Sequence, residues 1–259
     1  MQPFYFGSSH QQLFGVYDAP ARGASANAAV VLCQPIGHEY LRAHRAFRNL
    51  GAALAERGFH VLRFDYFGSG DSGGDGGETT RDRCLADLAV AIDELKDMSG
   101  VTRVSLVGLR LGATFAALAA GKRPDIDRLV LWDPVVDGTR YLADLEGLQR
   151  RWLEDRMGDA ARLPDAQSEL IGFPMTADAR TQLGDTRLMP LQTIRAKSIA
   201  LFVSEESPYQ PLRQALEASG RPFTYALIPG AGHWNQGELV HEMLLPHAMV
   251  RAIAGAMAG

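Results

Sequence analysis

The run Val104-Ser105-Leu106-Val107-Gly108-Leu109-Arg110-Leu111-Gly112-Ala113 decides the fold. Val104 to Val107 reads as a buried strand, and Leu111 to Ala120 reads as a helix of small residues ended by Gly121. Between them Gly108 and Gly112 flank a tight turn, where strand and helix come too close for larger residues. That is the G-x-S-x-G frame of a nucleophile elbow, with arginine where the frame carries serine.

The same alternation extends on either side. Ala28 to Cys33 and Phe59 to Phe64 are continuous apolar runs suited to buried strands. Arg42 to Arg57 places Phe47, Leu50 and Leu54 on one helical stripe stopped by Gly58, and about Thr79 to Met98 does the same with Leu85, Leu88, Ile92 and Leu95. Later, Leu129 to Trp132, Ile199 to Val203 and Thr224 to Ile228 read as strands, and Leu212 to Ala218 and Leu239 to Ala256 as helices. The pattern predicts an α/β fold, a mostly parallel, doubly wound sheet with helices on both faces. Phe4 to Phe6 and Leu13 to Tyr17 should pair antiparallel at one edge.

From Gly138 to about Leu191 no convincing strand appears, only helix-like stretches such as Tyr141 to Arg156 and a Pro-punctuated Gly172-Phe173-Pro174. This predicts a helical cap inserted at 138–191, with 1–137 and 192–259 forming the core. Ligand sites in open α/β sheets lie at the carboxyl ends of strands, which such an insertion would cover. The plainer alternative is a pair of packing helices with no functional role.

Composition sets limits. With 259 residues, 46% hydrophobic and 22% charged, the chain is globular rather than disordered. Lys plus Arg number 26 against 30 Asp plus Glu, a net charge of -4, which argues against nucleic acid as a partner. Two cysteines, Cys33 and Cys84, cannot build a disulfide framework. Met1 to Val16 shows no basic stretch followed by an apolar run, and no apolar run reaches the ~18 residues of a membrane span. The expectation is a cytoplasmic protein with reduced thiols and no membrane partner, of undetermined oligomeric state.

Two more segments complete the pattern. Pro229-Gly230-Ala231-Gly232-His233-Trp234 presents a histidine on a short glycine-rich loop after the last strand, and Leu62 to Gly73 is a strand ending in a glycine-rich turn. In this order the chain resembles the α/β-hydrolase superfamily over nearly its whole length. The stretch Gln34-Pro35-Ile36-Gly37-His38-Glu39-Tyr40, the GLRLGA run and Trp132-Asp133-Pro134-Val135 are similar to exosortase-system-associated hydrolases and related serine-aminopeptidase-like members. The resemblance implies a hydrolase of an ester, thioester or related acyl group, with its nucleophile at position 110 and its general base at His233.

Position 110 departs from that pattern. A guanidinium stays protonated at any working pH and offers no lone pair, so Arg110 cannot attack a carbonyl. Ser105 and Cys33 lie inside strands and Thr114 a turn into the helix, so none replaces it well. A cation at a helix N-terminus is disfavoured by about 0.3–1 kcal/mol when exposed, so an anion should sit against Arg110. That anion is either a protein carboxylate such as Glu205, Glu206 or Asp133, or an anionic substrate group or developing oxyanion gripped by the guanidinium fork.

The remaining roles follow. His233 takes a proton from water, with Glu206 preferred over Asp133 as its orienting acid. Backbone N–H groups of Leu111 and Ile36 form an oxyanion hole, to which Pro35 has no N–H to give. His38 and Glu39 lie just beyond and either line the pocket or, as is commoner for such residues, belong to a surface loop, and Trp152, Leu170, Phe173 and Met175 wall an acyl chain. The histidines show no metal-ligand spacing. Gly68-Ser69-Gly70-Asp71-Ser72-Gly73 matches a dinucleotide fingerprint, but Gly74, Gly76 and Gly77 cannot open the helix it requires. No metal or cofactor is expected. The partner is a small acyl substrate, anionic or carrier-bound; the alternatives are a non-catalytic binder of an anionic acyl ligand, or a lyase or cyclase on the same fold.

Overall fold

Strands with both faces covered carry apolar residues without interruption, and the central strands here are buried on both sides. Val30, Leu32, Val107 and Leu109 pack with Phe47, Leu50, Leu54, Met249 and Ile253 on one face. Val31, Cys33 and Leu106 pack with Leu88, Ile92, Leu95 and Phe115 on the other. The computed structural model describes residues 1–21, 28–157, 168–189, 194–230, 234 and 246–258.

In chain order the elements are β1 (Gln2–Ser8), β2 (Gln11–Asp18), β3 (Ala28–Cys33), α1 (His38–Glu56), β4 (Phe59–Phe64), α2 (Arg81–Ser99), β5 (Val104–Leu109), α3 (Leu111–Lys122) and β6 (Ile126–Trp132). There follow α4 (Gly138–Met157), β7 (Glu169–Leu170), β8 (Phe173–Pro174), α5 (Ala177–Gly184), β9 (Ser198–Val203), α6 (Gln210–Glu217), β10 (Phe223–Leu227) and α7 (His247–Ala258). Residues 239–245 of the predicted last helix lie outside the described residues.

The main sheet has eight strands in the order β1-β2-β4-β3-β5-β6-β9-β10. The first two pairings are antiparallel and the rest parallel, so the opening hairpin sits at one edge as expected. From β3 the chain moves outward to β4, then returns to build β5 on the other side of β3. The strand order therefore switches at β3 and β5, whose carboxyl ends are Cys33 and Leu109. A ligand crevice belongs at such a switch.

From the segment between β6 and β9, Tyr141 borders a cavity with Arg110, and Leu170 and Phe173 border another with Ile36 at the exit of β3. The base of the segment is tied by Gly138 N–H to the Thr186 carbonyl at 2.9 Å and Leu188 N–H to the Val136 carbonyl at 3.0 Å. It holds α4, α5 and, where no strand is legible in the sequence, the β7–β8 pair. Each of those strands is two residues long, too short to display a period of two. The glycine-rich turn after β4 opens no helix at Gly73, whose N–H donates to the Gln12 carbonyl at 2.9 Å. Instead α2 starts eight residues later, where the Thr80 hydroxyl accepts from Arg83 N–H at 3.3 Å.

Candidate active site

The turn between β5 and α3 is built by its glycines. A Cβ on Gly112 would stand 2.2 Å from the Cys33 carbonyl oxygen, and one on Gly108 would stand 2.4 Å from Ala113 Cα. Between them Arg110 adopts φ 55° and ψ -123°, a backbone conformation costing about 1–3 kcal/mol for a residue with a side chain. Neighbours hold it there: Arg110 N–H donates to the Trp132 carbonyl at 3.0 Å, and its own carbonyl accepts from Ala113 and Thr114.

The anion required beside Arg110 is Glu39, on the first turn of α1. Arg110 Nε donates to Glu39 Oε1 at 2.8 Å, and Nη1 donates to the Asp133 carbonyl at 3.3 Å. Tyr141, on α4, donates its hydroxyl to Glu39 Oε2 at 3.0 Å, and its ring lies 5.6 Å from the guanidinium carbon. Glu39 is fully buried. Burial alone would lower the Arg110 pKa, but the Glu39 carboxylate together with the phenols of Tyr209 and Tyr141 outweighs it and holds the guanidinium above the ordinary arginine range. The phenol of Tyr209, raised by its own burial, lies within the influence of the same cation.

Asp133 closes β6 at φ 40° and is buried. Its Oδ1 accepts from Ser204 N–H at 2.7 Å, and Oδ2 accepts from Trp234 Nε1 at 2.9 Å, with the Ser204 hydroxyl 3.0 Å from both oxygens. Burial raises the Asp133 carboxyl pKa, against the pull of these donors. Glu206 is half exposed, 3.7 Å from Arg213, and does not border the cleft described below. His233 lies outside the described residues; its neighbour Trp234 is buried, and the Trp234 carbonyl accepts from Arg42 Nη1 at 2.7 Å.

Two cavities meet at Tyr141. The larger, about 530 Å³, has a mixed polar and apolar lining that includes Arg110, Asp133, Val135, Arg140, Ser204 and Tyr209. The smaller, about 60 Å³, is bordered by Ile36, His38, Leu145, Leu170, Phe173 and Met175. Ile36 is buried at the exit of β3, and Leu111 is the first residue of α3, so its N–H has no acceptor within the helix. Phe173 thus reaches a cavity, whereas Trp152 borders neither of the two. Thr114 Oγ1 is engaged with the Val135 carbonyl at 2.7 Å, and burial pushes the Cys33 thiol well above its ordinary range.

Sequence reasoning placed Glu39 on the pocket wall and did not pair it with Arg110. The signal was present: Glu39 lies in the first turn of the helix that follows β3, and β3 pairs with the strand that delivers position 110. Among the described residues no group of three or more His, Cys, Asp or Glu is arranged to hold a metal ion, and no helix is long and apolar enough to cross a membrane.

Known proteins share this architecture. Est1E from Butyrivibrio proteoclasticus, solved with ferulic acid bound, superposes with a TM-score of 0.70 at 19% identity, over 98% of this chain and 97% of that one. DcsB in complex with its substrate analogue gives 0.69 at 17% identity, over 98% and 97%. Proline iminopeptidase from Mycobacterium smegmatis gives 0.67 at 12% identity, over 99% and 97%. Comparison with curated protein sequences gives no match. The family model described as serine aminopeptidase, S33, matches residues 24–180, more than half of the sequence. On that match and this sheet order, the chain belongs to the S33 serine aminopeptidase family and has the α/β-hydrolase fold.

Proposed function

We propose that this protein hydrolyses an acyl ester or thioester by direct addition of water, with no covalent bond to position 110. One observation carries the reading. The β5–α3 turn keeps the strained, glycine-flanked geometry that delivers a nucleophile, yet the side chain delivered is a guanidinium already paired with Glu39. Strain of this kind persists where the surroundings enforce it, and it clusters at reactive sites.

In this reading the N–H groups of Leu111 and Ile36 polarise the acyl carbonyl, and Arg110 adds positive potential from the cleft floor. His233 takes a proton from water; the hydroxide oxygen bonds to the acyl carbon, and the carbonyl electron pair moves onto oxygen. Collapse then expels the alkoxide or thiolate, which recovers the proton from His233. Asp133 is preferred to Glu206 as the orienting acid because it borders the cleft and Glu206 does not. The 138–191 segment acts as the cap, with Leu170, Phe173 and Met175 against the acyl chain.

The test is a panel of acyl esters and thioesters assayed with wild type and His233→Ala, with intact-protein mass spectrometry during turnover. At least one substrate should be hydrolysed, the variant should be slower by about 100-fold or more, and no acyl adduct should appear. Equal rates, or an adduct on residue 110, overturn the reading. A second reading, binding without turnover, is favoured by the Glu39–Arg110 pair, which completes the charge balance of the site from within the protein. Ligand affinity that survives His233→Ala, with no product from any substrate, selects it.

A further inference from the structure

Helix α4 faces both cavities. Arg140, Asp144, Gly147 and Arg151, three or four residues apart and so on one stripe of the helix, border the larger cavity, and Leu145 borders the smaller. Tyr141 stands at the edge between the two stripes, and it alone among the described residues borders both cavities.

Two contacts fix its side chain. The hydroxyl donates to Glu39 Oε2 at 3.0 Å, and the ring centre lies 5.6 Å from the Arg110 guanidinium carbon. Glu39 is fully buried, so a swing of the ring would leave a carboxylate oxygen without its donor inside the protein. The ring is thereby held as a wall.

The two sides of that wall differ in size and chemistry. The smaller cavity, about 60 Å³, carries Ile36, Leu145, Leu170, Phe173 and Met175 on its surface. At ~10–15 Å³ for each water-sized group, such a space holds a handful of heavy atoms. The larger, about 530 Å³, includes Arg140, Asp144, Arg151, Ser204 and Glu205 in its lining. An apolar chain laid against those groups would strip water from them with no hydrogen bond in return, whereas a polar chain replaces what it displaces.

Resting on the reading that the site cleaves an acyl ester or thioester, we propose that Tyr141 is a partition that sorts the two halves of the substrate. A short apolar acyl group occupies the small cavity, and a bulky polar alcohol or thiol occupies the larger cleft. Tyr141 then sets the upper limit on acyl length, because its ring closes the way from the small cavity into the large one.

The experiment measures kcat/KM on the full chain for the acetyl and octanoyl esters of 4-nitrophenol and the matching thioesters of N-acetylcysteamine and pantetheine. Wild type should prefer acetyl to octanoyl by about tenfold or more on each leaving group. It should also hydrolyse acetyl-pantetheine at least as well as the shorter N-acetylcysteamine thioester. Tyr141→Ala should cut the acyl preference to about threefold or less, because the chain then passes into the larger cleft. Phe173→Ala, which widens another part of the small cavity, should cut it too and carries the test if Tyr141→Ala does not fold. Arg140→Ala, on the cleft side alone, should leave the acyl ratio at its wild-type value.

Four results overturn the inference and leave the hydrolase reading standing: an acyl ratio near one in wild type, a ratio that Tyr141→Ala leaves unchanged, a ratio that Arg140→Ala also removes, or a pantetheine thioester about tenfold slower than its shorter counterpart. With no turnover of any substrate, calorimetry of octanoate decides. Binding by Tyr141→Ala and not by wild type upholds the partition and removes the hydrolase reading. Binding alike by both proteins, or by neither, overturns both.

Discussion

Arg110 and Glu39 stand or fall together. Their side chains are 11% and 0% exposed, so neither charge is well served by water once the other is gone. Removing one partner of a buried pair costs about 3–5 kcal/mol, because the survivor is left desolvated and uncompensated. Arg110→Met should therefore shift the urea midpoint strongly, whereas Arg110→Met with Glu39→Leu should return to within about 1–2 kcal/mol of wild type. Simple additivity of the two single changes would show that the pair is not coupled. Asp133 provides a second test. Its pKa is raised by burial, so the folded protein holds that proton more tightly than the unfolded chain. The stabilisation is complete below the unfolded value of about 3.9 and declines as pH rises through the folded one. Trp234 donates to this carboxyl, so indole fluorescence should titrate above pH ~3.9, and Asp133→Asn should flatten it. A midpoint at or below that value contradicts the burial argument. The place of Arg110 was legible because glycine spacing is a local signal. Its partner was not, because Glu39 is 71 residues away and looks like any solvated carboxylate that opens a helix.

At the level of the element, legibility followed burial. The strands Ala28–Cys33 and Phe59–Phe64 match their sequence limits, since residues covered on both faces leave continuous apolar runs. Strands β6 and β5 each run beyond their predicted limits, β6 through Ile126-Asp127-Arg128 and β5 through Gly108-Leu109, where backbone pairing continues past the apolar signal. The helix α1 begins four residues before the predicted Arg42, because His38 and Glu39 are drawn into its first turn and are buried there. The contact between the end of β3 and α3 leaves no room for a side chain at Gly112. Gly112→Ala should destabilise by about 3 kcal/mol or more, since both atoms that its Cβ would meet most closely are backbone carbonyl oxygens, of Cys33 and Gln34. A neutral result in thermal unfolding would mean that α3 can slide away from the sheet.

For the molecule as a whole, the mostly parallel sheet with its antiparallel edge was implied by the alternation of strands and helices, whereas the strand order and the switch between β3 and β5 emerge only in the structure. The shape of the larger cleft was not implied either, because it is walled by side chains from α4 and from the loops after β6 and β9, which come together only in the folded chain. Cys33 and Cys84 report on that folded state. Both are buried and burial raises both thiol pKa values, so neither offers a thiolate to a reagent. A disulfide reagent should be consumed negligibly by native protein and to two equivalents in denaturant, with a rate set by opening of the core. Fast reaction under native conditions would show that the sheet breathes locally at β3 or α2.

The ion pair also constrains ancestry. Serine introduced at position 110 would arrive next to an orphaned carboxylate, at the spot where its own attack must create a second negative oxygen. Position 39 has to lose its charge before such a serine becomes useful, and position 39 has no reason to lose it while arginine remains. Passage between this chain and a serine-using relative is therefore an epistatic two-step in which each intermediate is worse than either end.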